Sequence, residues 1–229
     1  MKPLLATASA FALLAFSAVD AADMKTANAA TANPALAPWT GPFGGVPPFD
    51  KVKVADLQPA LEAGMAQQLE EIDRIARDPA APTFENTIAA LERTGRTLDR
   101  VATIYGIYGS TLNDDAVQAV EREMEPKLAA FRDQITQNQP LFERIEKVYE
   151  SRATAKLTPE QERLTWVYYT NFVRSGAKLD AAGKKRVAEI NQELAKLFTT
   201  FSQNVLKDEN DGVIFIDKEA DLAGLPQGV

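Results

Sequence analysis

Apolar residues recur at helical spacing along most of this chain. Leu57, Leu61, Met65, Leu69, Ile72 and Ile75 share one stripe, with Gln67, Gln68, Glu70, Glu71 and Arg74 opposite, which predicts a surface helix packed by one face. Pro59 is expected in its first turn, where the missing N–H would have had no helical acceptor. Asp78-Pro79 stops this helix and Pro82 keeps Ala81 extended, so Thr83 is placed to cap a second one. Phe84, Ile88, Leu91, Gly95 and Leu98 carry that second helix past Gly95 to about Tyr108. Gly95 falls on its apolar face and reads as a point where a neighbouring backbone approaches closely.

Four further helices follow. Asn113-Asp114-Asp115 caps Val117, Val120, Met124, Leu128, Phe131 and Ile135, with a kink expected at Pro126. A short helix spans Pro140 to Tyr149, with Leu141, Phe142, Ile145 and Val148 inward. Thr158-Pro159-Glu160-Gln161 combines an N-cap, a proline at the first helical position and a capping box, and Gly176 is a natural stop for the helix it opens. The last helix starts near Asp180 and runs through Val187, Ile190, Leu194, Leu197, Phe201 and Val205, roughly 27 residues or ~40 Å. Val213 to Ile216, bounded by turn residues and rich in β-branched types, reads as one short strand near the C-terminus. The fold class expected is all-α, mostly helical, with about six helices and that strand. A lone strand needs a partner, which points to more chain beyond Val229.

The N-terminal 48 residues lack this periodicity. Met1 to Ala21 has the three parts of a secretory signal: Lys2, an apolar run from Leu4 to Val19, and Val19-Asp20-Ala21 as a small-residue cleavage site. At roughly 16 residues the run falls short of the ~20 that span a bilayer. A mature chain starting at Ala22, in the periplasm or secreted and with no membrane association after cleavage, is therefore expected. Ala22 to Pro48 is rich in Ala, Thr, Asn, Pro and Gly and reads as a flexible or loosely docked arm, with Trp39 and Phe43 pinning its end to the body formed by Phe49 to Val229.

Composition adds mainly exclusions. The 229 residues are 45% hydrophobic and 25% charged, ordinary for a globular chain. The net charge of −7, with 25 basic residues among 32 acidic ones, argues against nucleic-acid binding. Histidine and cysteine are both absent, so a catalytic zinc site, a Ser-His-Asp triad and a Cys-His pair cannot be assembled within this segment. Two acidic sets remain, Glu121, Glu123 and Glu125, and Asp208, Glu209 and Asp211. The first reads as a solvated helix face and the second as loop. Tyr105, Tyr108, Tyr168 and Tyr169 read as core-edge aromatics whose hydroxyls reach water.

The run Pro82 to Gly95, Pro-Thr-Phe-Glu-Asn-Thr-Ile-Ala-Ala-Leu-Glu-Arg-Thr-Gly, is the least generic in the chain. With the segment from Pro47 to Ala81, and with Phe172 to Ala177, Phe201 to Leu206 and Gly224-Leu225-Pro226, it resembles the N-terminal region of the thimet oligopeptidase (M3) family of zinc peptidases, most nearly its peptidyl-dipeptidase branch. That resemblance implies the N-terminal part of a larger enzyme that releases C-terminal dipeptides from oligopeptide substrates. This part would form one wall of a substrate channel. The zinc cofactor, its HExxH motif and the catalytic tyrosine would lie in a catalytic region that follows. No catalytic, cofactor-binding or metal-ligating residue is assigned within this segment. The competing reading is a stand-alone periplasmic helical binding or interaction module without catalysis.

Overall fold

The structure is a computed structural model and describes residues 33–224 and 226. The leader, Ala22 to Ala32, Leu225 and the last three residues lie outside the described residues, and with them most of the arm's first half and part of the Gly224-Leu225-Pro226 match.

Seven α-helical elements are present among the described residues: α1 (Val54–Ala76), α2 (Ala89–Leu91), α3 (Arg96–Thr111), α4 (Asp115–Thr136), α5 (Gln139–Ser151), α6 (Pro159–Arg174) and α7 (Ala181–Asp211). Helix α2 continues directly from a π-helical turn, Phe84–Ile88. Single 3-10 turns lie at Pro34–Leu36 and Glu219–Leu222. Six of the helices are long, and the all-α class follows from them.

The second helix expected from the sequence is two pieces. Thr83 and Asn86 form a reciprocal cap, with the Asn86 N–H on Thr83 Oγ1 and the Thr83 N–H on Asn86 Oδ1. The chain then breaks at Gly95, which is not a mid-helix contact. Its φ of 76° is left-handed and it stands as N-cap of α3. The Gly95 N–H donates to Glu71 Oε2 at 2.8 Å, a tertiary bond that holds the break against α1. Close helix approach occurs instead at Gly64 of α1, where a Cβ would lie 3.0 Å from the Leu98 Cα of α3.

The proline readings also shift in detail. Helix α1 begins at Val54, so Pro59 sits in the second turn and leaves the Ala55 carbonyl without its helical donor. Helix α4 is continuous through Pro126. Helix α6 opens on the Thr158–Gln161 capping box and closes in a Schellman motif: Gly176 is left-handed, the Ala177 N–H donates to the Phe172 carbonyl and the Gly176 N–H to that of Val173.

Two apolar clusters share α1. The first joins Leu57, Leu61 and Met65 to Val101, Ile104 and Tyr108 of α3 and to Val117, Met124 and Phe131 of α4. The second joins Ile72 to Ile88, Leu91, Leu141, Ile145, Val148 and Phe172. Ile135 packs against both. Ala35 is fully buried in the first cluster and Trp39 packs on it, while the Asn33 amide donates to the Asp56 carbonyl at 2.9 Å. Phe43 is wholly exposed, so Ala35 and Trp39, not Phe43, dock this segment.

Val213 to Ile216 is irregular and exposed, not a strand; the one β-bridge among the described residues pairs Thr40 with Val46. Without a neighbouring chain to take its N–H and C=O groups, that segment has nothing to form a ladder with.

Candidate functional site

Helix α7 packs on α4 by a polar and small-residue stripe rather than by its apolar one. Asn191 donates to Asp133 Oδ1 at 2.7 Å, Gln137 donates to the Lys184 carbonyl at 3.2 Å, and Gln203 donates to the Gln118 carbonyl at 3.0 Å and to Glu121 Oε2 at 3.1 Å. Arg122 returns a bond to Gln203 Oε1 at 2.7 Å. No residue of α7 is buried, and Leu197, Phe198 and Phe201 are among its exposed apolar side chains.

Between these contacts lies a groove of about 840 Å³. One wall is the four-residue repeat Glu121, Glu125, Ala129, Asp133 of α4, with Arg132 beside it; the other carries Asn191, Leu194, Ala195 and Phe198 of α7; Arg174 and Ser175 from the end of α6 complete the lining. The volume falls within the ~300–1,000 Å³ of ligand-sized sites.

The groove's charges are unevenly satisfied. Glu121 accepts from the Asn113 and Gln203 amides, and Glu125 from the Tyr105 hydroxyl at 2.9 Å. Burial, and then the Glu125 carboxylate, push the Tyr105 hydroxyl well above the ordinary tyrosine value. Asp133 is 7% exposed; its Oδ1 takes the Asn191 amide and its Oδ2 is buried without a partner. Neither Arg132 nor Arg174 makes an ion pair with a carboxylate among the described residues.

The acidic sets singled out in the sequence do separate jobs. Glu123 pairs with Lys127 at 2.7 Å, away from the bonds of Glu121 and Glu125. Asp208, Glu209 and Asp211 lie in the last turn of α7 and not in a loop, with Asp208 and Glu209 exposed and Asp211 paired with Lys207. Among the described residues no three His, Cys, Asp or Glu side chains gather where a metal could be held. A zinc ion does not fit the donors present here.

Three of the four tyrosine hydroxyls singled out, those of Tyr105, Tyr108 and Tyr168, bond to protein. Tyr108 donates to the Val52 carbonyl at 2.8 Å and Tyr168 to Glu92 Oε1 at 2.6 Å. Tyr169 stacks on Tyr149 at 3.9 Å. Burial, and then Glu92, raise the Tyr168 hydroxyl above its ordinary value. Asp133, Asn191, Arg132 and Arg174 were not singled out by sequence. The four-residue recurrence from Glu121 to Asp133 was the available signal, and it is indistinguishable from a solvated face until α7 lies across it.

The architecture is that of a helical scaffold with a groove and, among its described residues, no cluster of side chains able to hold a metal. No protein-family model matches the chain. It is 34% identical over 197 residues to the dipeptidyl carboxypeptidase of Escherichia coli (strain K12), covering 86% of this chain and 29% of that protein. It is 35% identical over 179 residues to the dipeptidyl carboxypeptidase of Salmonella typhimurium (78% and 26%) and 24% identical over 195 residues to oligopeptidase A of Escherichia coli (85% and 28%). The chain is a homologue of these dipeptidyl carboxypeptidases and oligopeptidases A and spans under a third of the length of these relatives. Among the described residues no helix is long and apolar enough to cross a membrane.

Proposed function

We propose that this chain is the N-terminal part of an exported zinc metallopeptidase that releases dipeptides from the C-termini of oligopeptides, and that its helices form a wall of the substrate channel. The observation that carries the reading is the similarity to two dipeptidyl carboxypeptidases, at 34% and 35% identity against 23% to 27% for the bacterial oligopeptidases A. The absence of histidine and cysteine agrees with a division of labour in which another region holds the zinc, since neither its nitrogen nor its sulfur ligands exist here. The exposed stripe on α7 outside the groove, with Leu197 56% and Phe201 66% exposed, and the exposed Val213 to Ile216 are surfaces that a second folded half would cover. The metal, when bound in that half, supplies the activated water and the polarisation of the scissile carbonyl. This chain's part is to present the groove and exclude folded substrates.

The test compares a protein made from Ala22 to Val229 with the longer protein on one oligopeptide, followed by mass spectrometry. Release of C-terminal dipeptides by the longer protein, abolished by a chelator and restored by zinc, is expected, together with no cleavage by the shorter one. A longer protein that is inert with zinc bound refutes the peptidase assignment. Export is tested by intact mass: the processed protein should begin at Ala22, and retention of Met1 to Ala21 in an exported sample refutes the leader reading.

A further inference from the structure

We infer that the groove between α4 and α7 binds the free N-terminal end of an oligopeptide, with Asp133 Oδ2 accepting from the ligand's ammonium group. The inference rests on the peptidase reading for the class of ligand and on the groove's own chemistry for the contact. Buried polar atoms in folded proteins nearly always have a partner, yet Oδ2 of Asp133 has none although the residue is only 7% exposed and its other oxygen is pinned by Asn191 at 2.7 Å. The missing partner is a donor, because a carboxylate only accepts. A divalent cation does not suit the position: it would want at least six oxygen ligands, and Arg132 and Arg174 line the same groove. An ammonium group brings three N–H donors, one for Asp133 Oδ2 and two for other acceptors, and Glu121 and Glu125 line the same wall. The chain it belongs to also brings backbone carbonyls, which are acceptors for the two guanidinium groups that lack ion-pair partners among the described residues. Leu194 and Phe198 supply apolar surface for side chains between these points. A peptide cut near its C-terminus has its N-terminus away from the reacting bond, so this contact positions the substrate and takes no part in the chemistry.

The test uses the longer protein, stripped of metal by a chelator so that peptides bind without being cut. A short oligopeptide with neutral side chains is titrated by calorimetry in two forms, with a free and an acetylated N-terminus. Loss of one charge-assisted hydrogen bond predicts that the free form binds about 10- to 100-fold more tightly. Asp133→Asn keeps the shape and removes the charge. It should bring the two affinities together while leaving that of the acetylated peptide unchanged. Equal affinities for the unaltered protein overturn the inference, whether or not the variant folds, and leave water as the occupant of the position. So does a preference that survives Asp133→Asn. Cleavage by the zinc-loaded protein is scored separately. A preference for free N-termini without cleavage supports the groove and refutes the peptidase, and cleavage without the preference does the reverse.

Discussion

Gly95→Ala is expected to destabilise the fold, although a glycine at an exposed position inside a helix would ordinarily improve on replacement by alanine. The residue is the N-cap of α3 at φ 76°, and a left-handed backbone costs an L-residue with a Cβ about 1–2 kcal/mol. A Cβ at this position would also meet the Gln68 side-chain amide at 2.6 Å, but that is the end of a flexible side chain and can swing aside. Reduced freedom of the unfolded chain returns about 0.4–1 kcal/mol at compatible sites and less here. The net expectation is a loss of about 1–2 kcal/mol. At a urea m-value near 2 kcal/mol/M this lowers the midpoint by about 0.5–1 M. Helicity followed by circular dichroism through a urea titration reads it directly. Gly95→Asn should cost less, because asparagine enters the left-handed region more readily. Repeating Gly95→Ala in a Gln68→Ala background separates backbone from clash: an unchanged loss assigns it to the dihedral. A rise in midpoint for Gly95→Ala, as at an exposed mid-helix glycine, would refute the reasoning.

Three further outcomes are expected. Thr158→Ala should cost about 1 kcal/mol by removing the side-chain half of the α6 capping box, measured as a lower urea midpoint; no change would show that the cap is redundant. Ile145→Ala, at a fully buried position of the second cluster, should cost about 2–5 kcal/mol, with the same titration as readout. In alkali, the neutral hydroxyls of Tyr105 and Tyr168 are favoured by folding, so their contribution is complete below about pH 10, the ordinary tyrosine value, and is lost as pH rises from there toward the higher folded values. Tyrosinate absorbance should therefore show two hydroxyls ionising only as helicity is lost, and their ionisation near pH 10 in an intact fold would contradict the burial argument.

Local rules carried most of the helix plan. The caps at Thr83, Asp114, Thr158 and Asp180 and the stop at Gly176 act within a few residues, through hydrogen bonds the neighbouring chain itself supplies, so they were legible before any tertiary contact was known. That this segment offers no histidine or cysteine to ligate zinc likewise needs only the residue count. Gly95 was misplaced because periodicity reports which positions share a face but not where a helix breaks; the break is held by Glu71, 24 residues away. The strand expected at Val213 to Ile216 has the right residue types, but strand formation depends on a partner that intrinsic preference does not provide. The face of α7 that meets α4 was decided by tertiary structure too. Hydrophobic spacing marked Ile190, Leu194, Leu197 and Phe201, whereas Lys184, Asn191 and Gln203 make the side-chain contacts with the α4 region. Apolar stripes show what a helix can bury, and only the packed chain shows which surface is there to receive it. Asp133 acquired its candidate role the same way, as a polar residue on α4 until α7 closed over one side and left one of its oxygens unmatched.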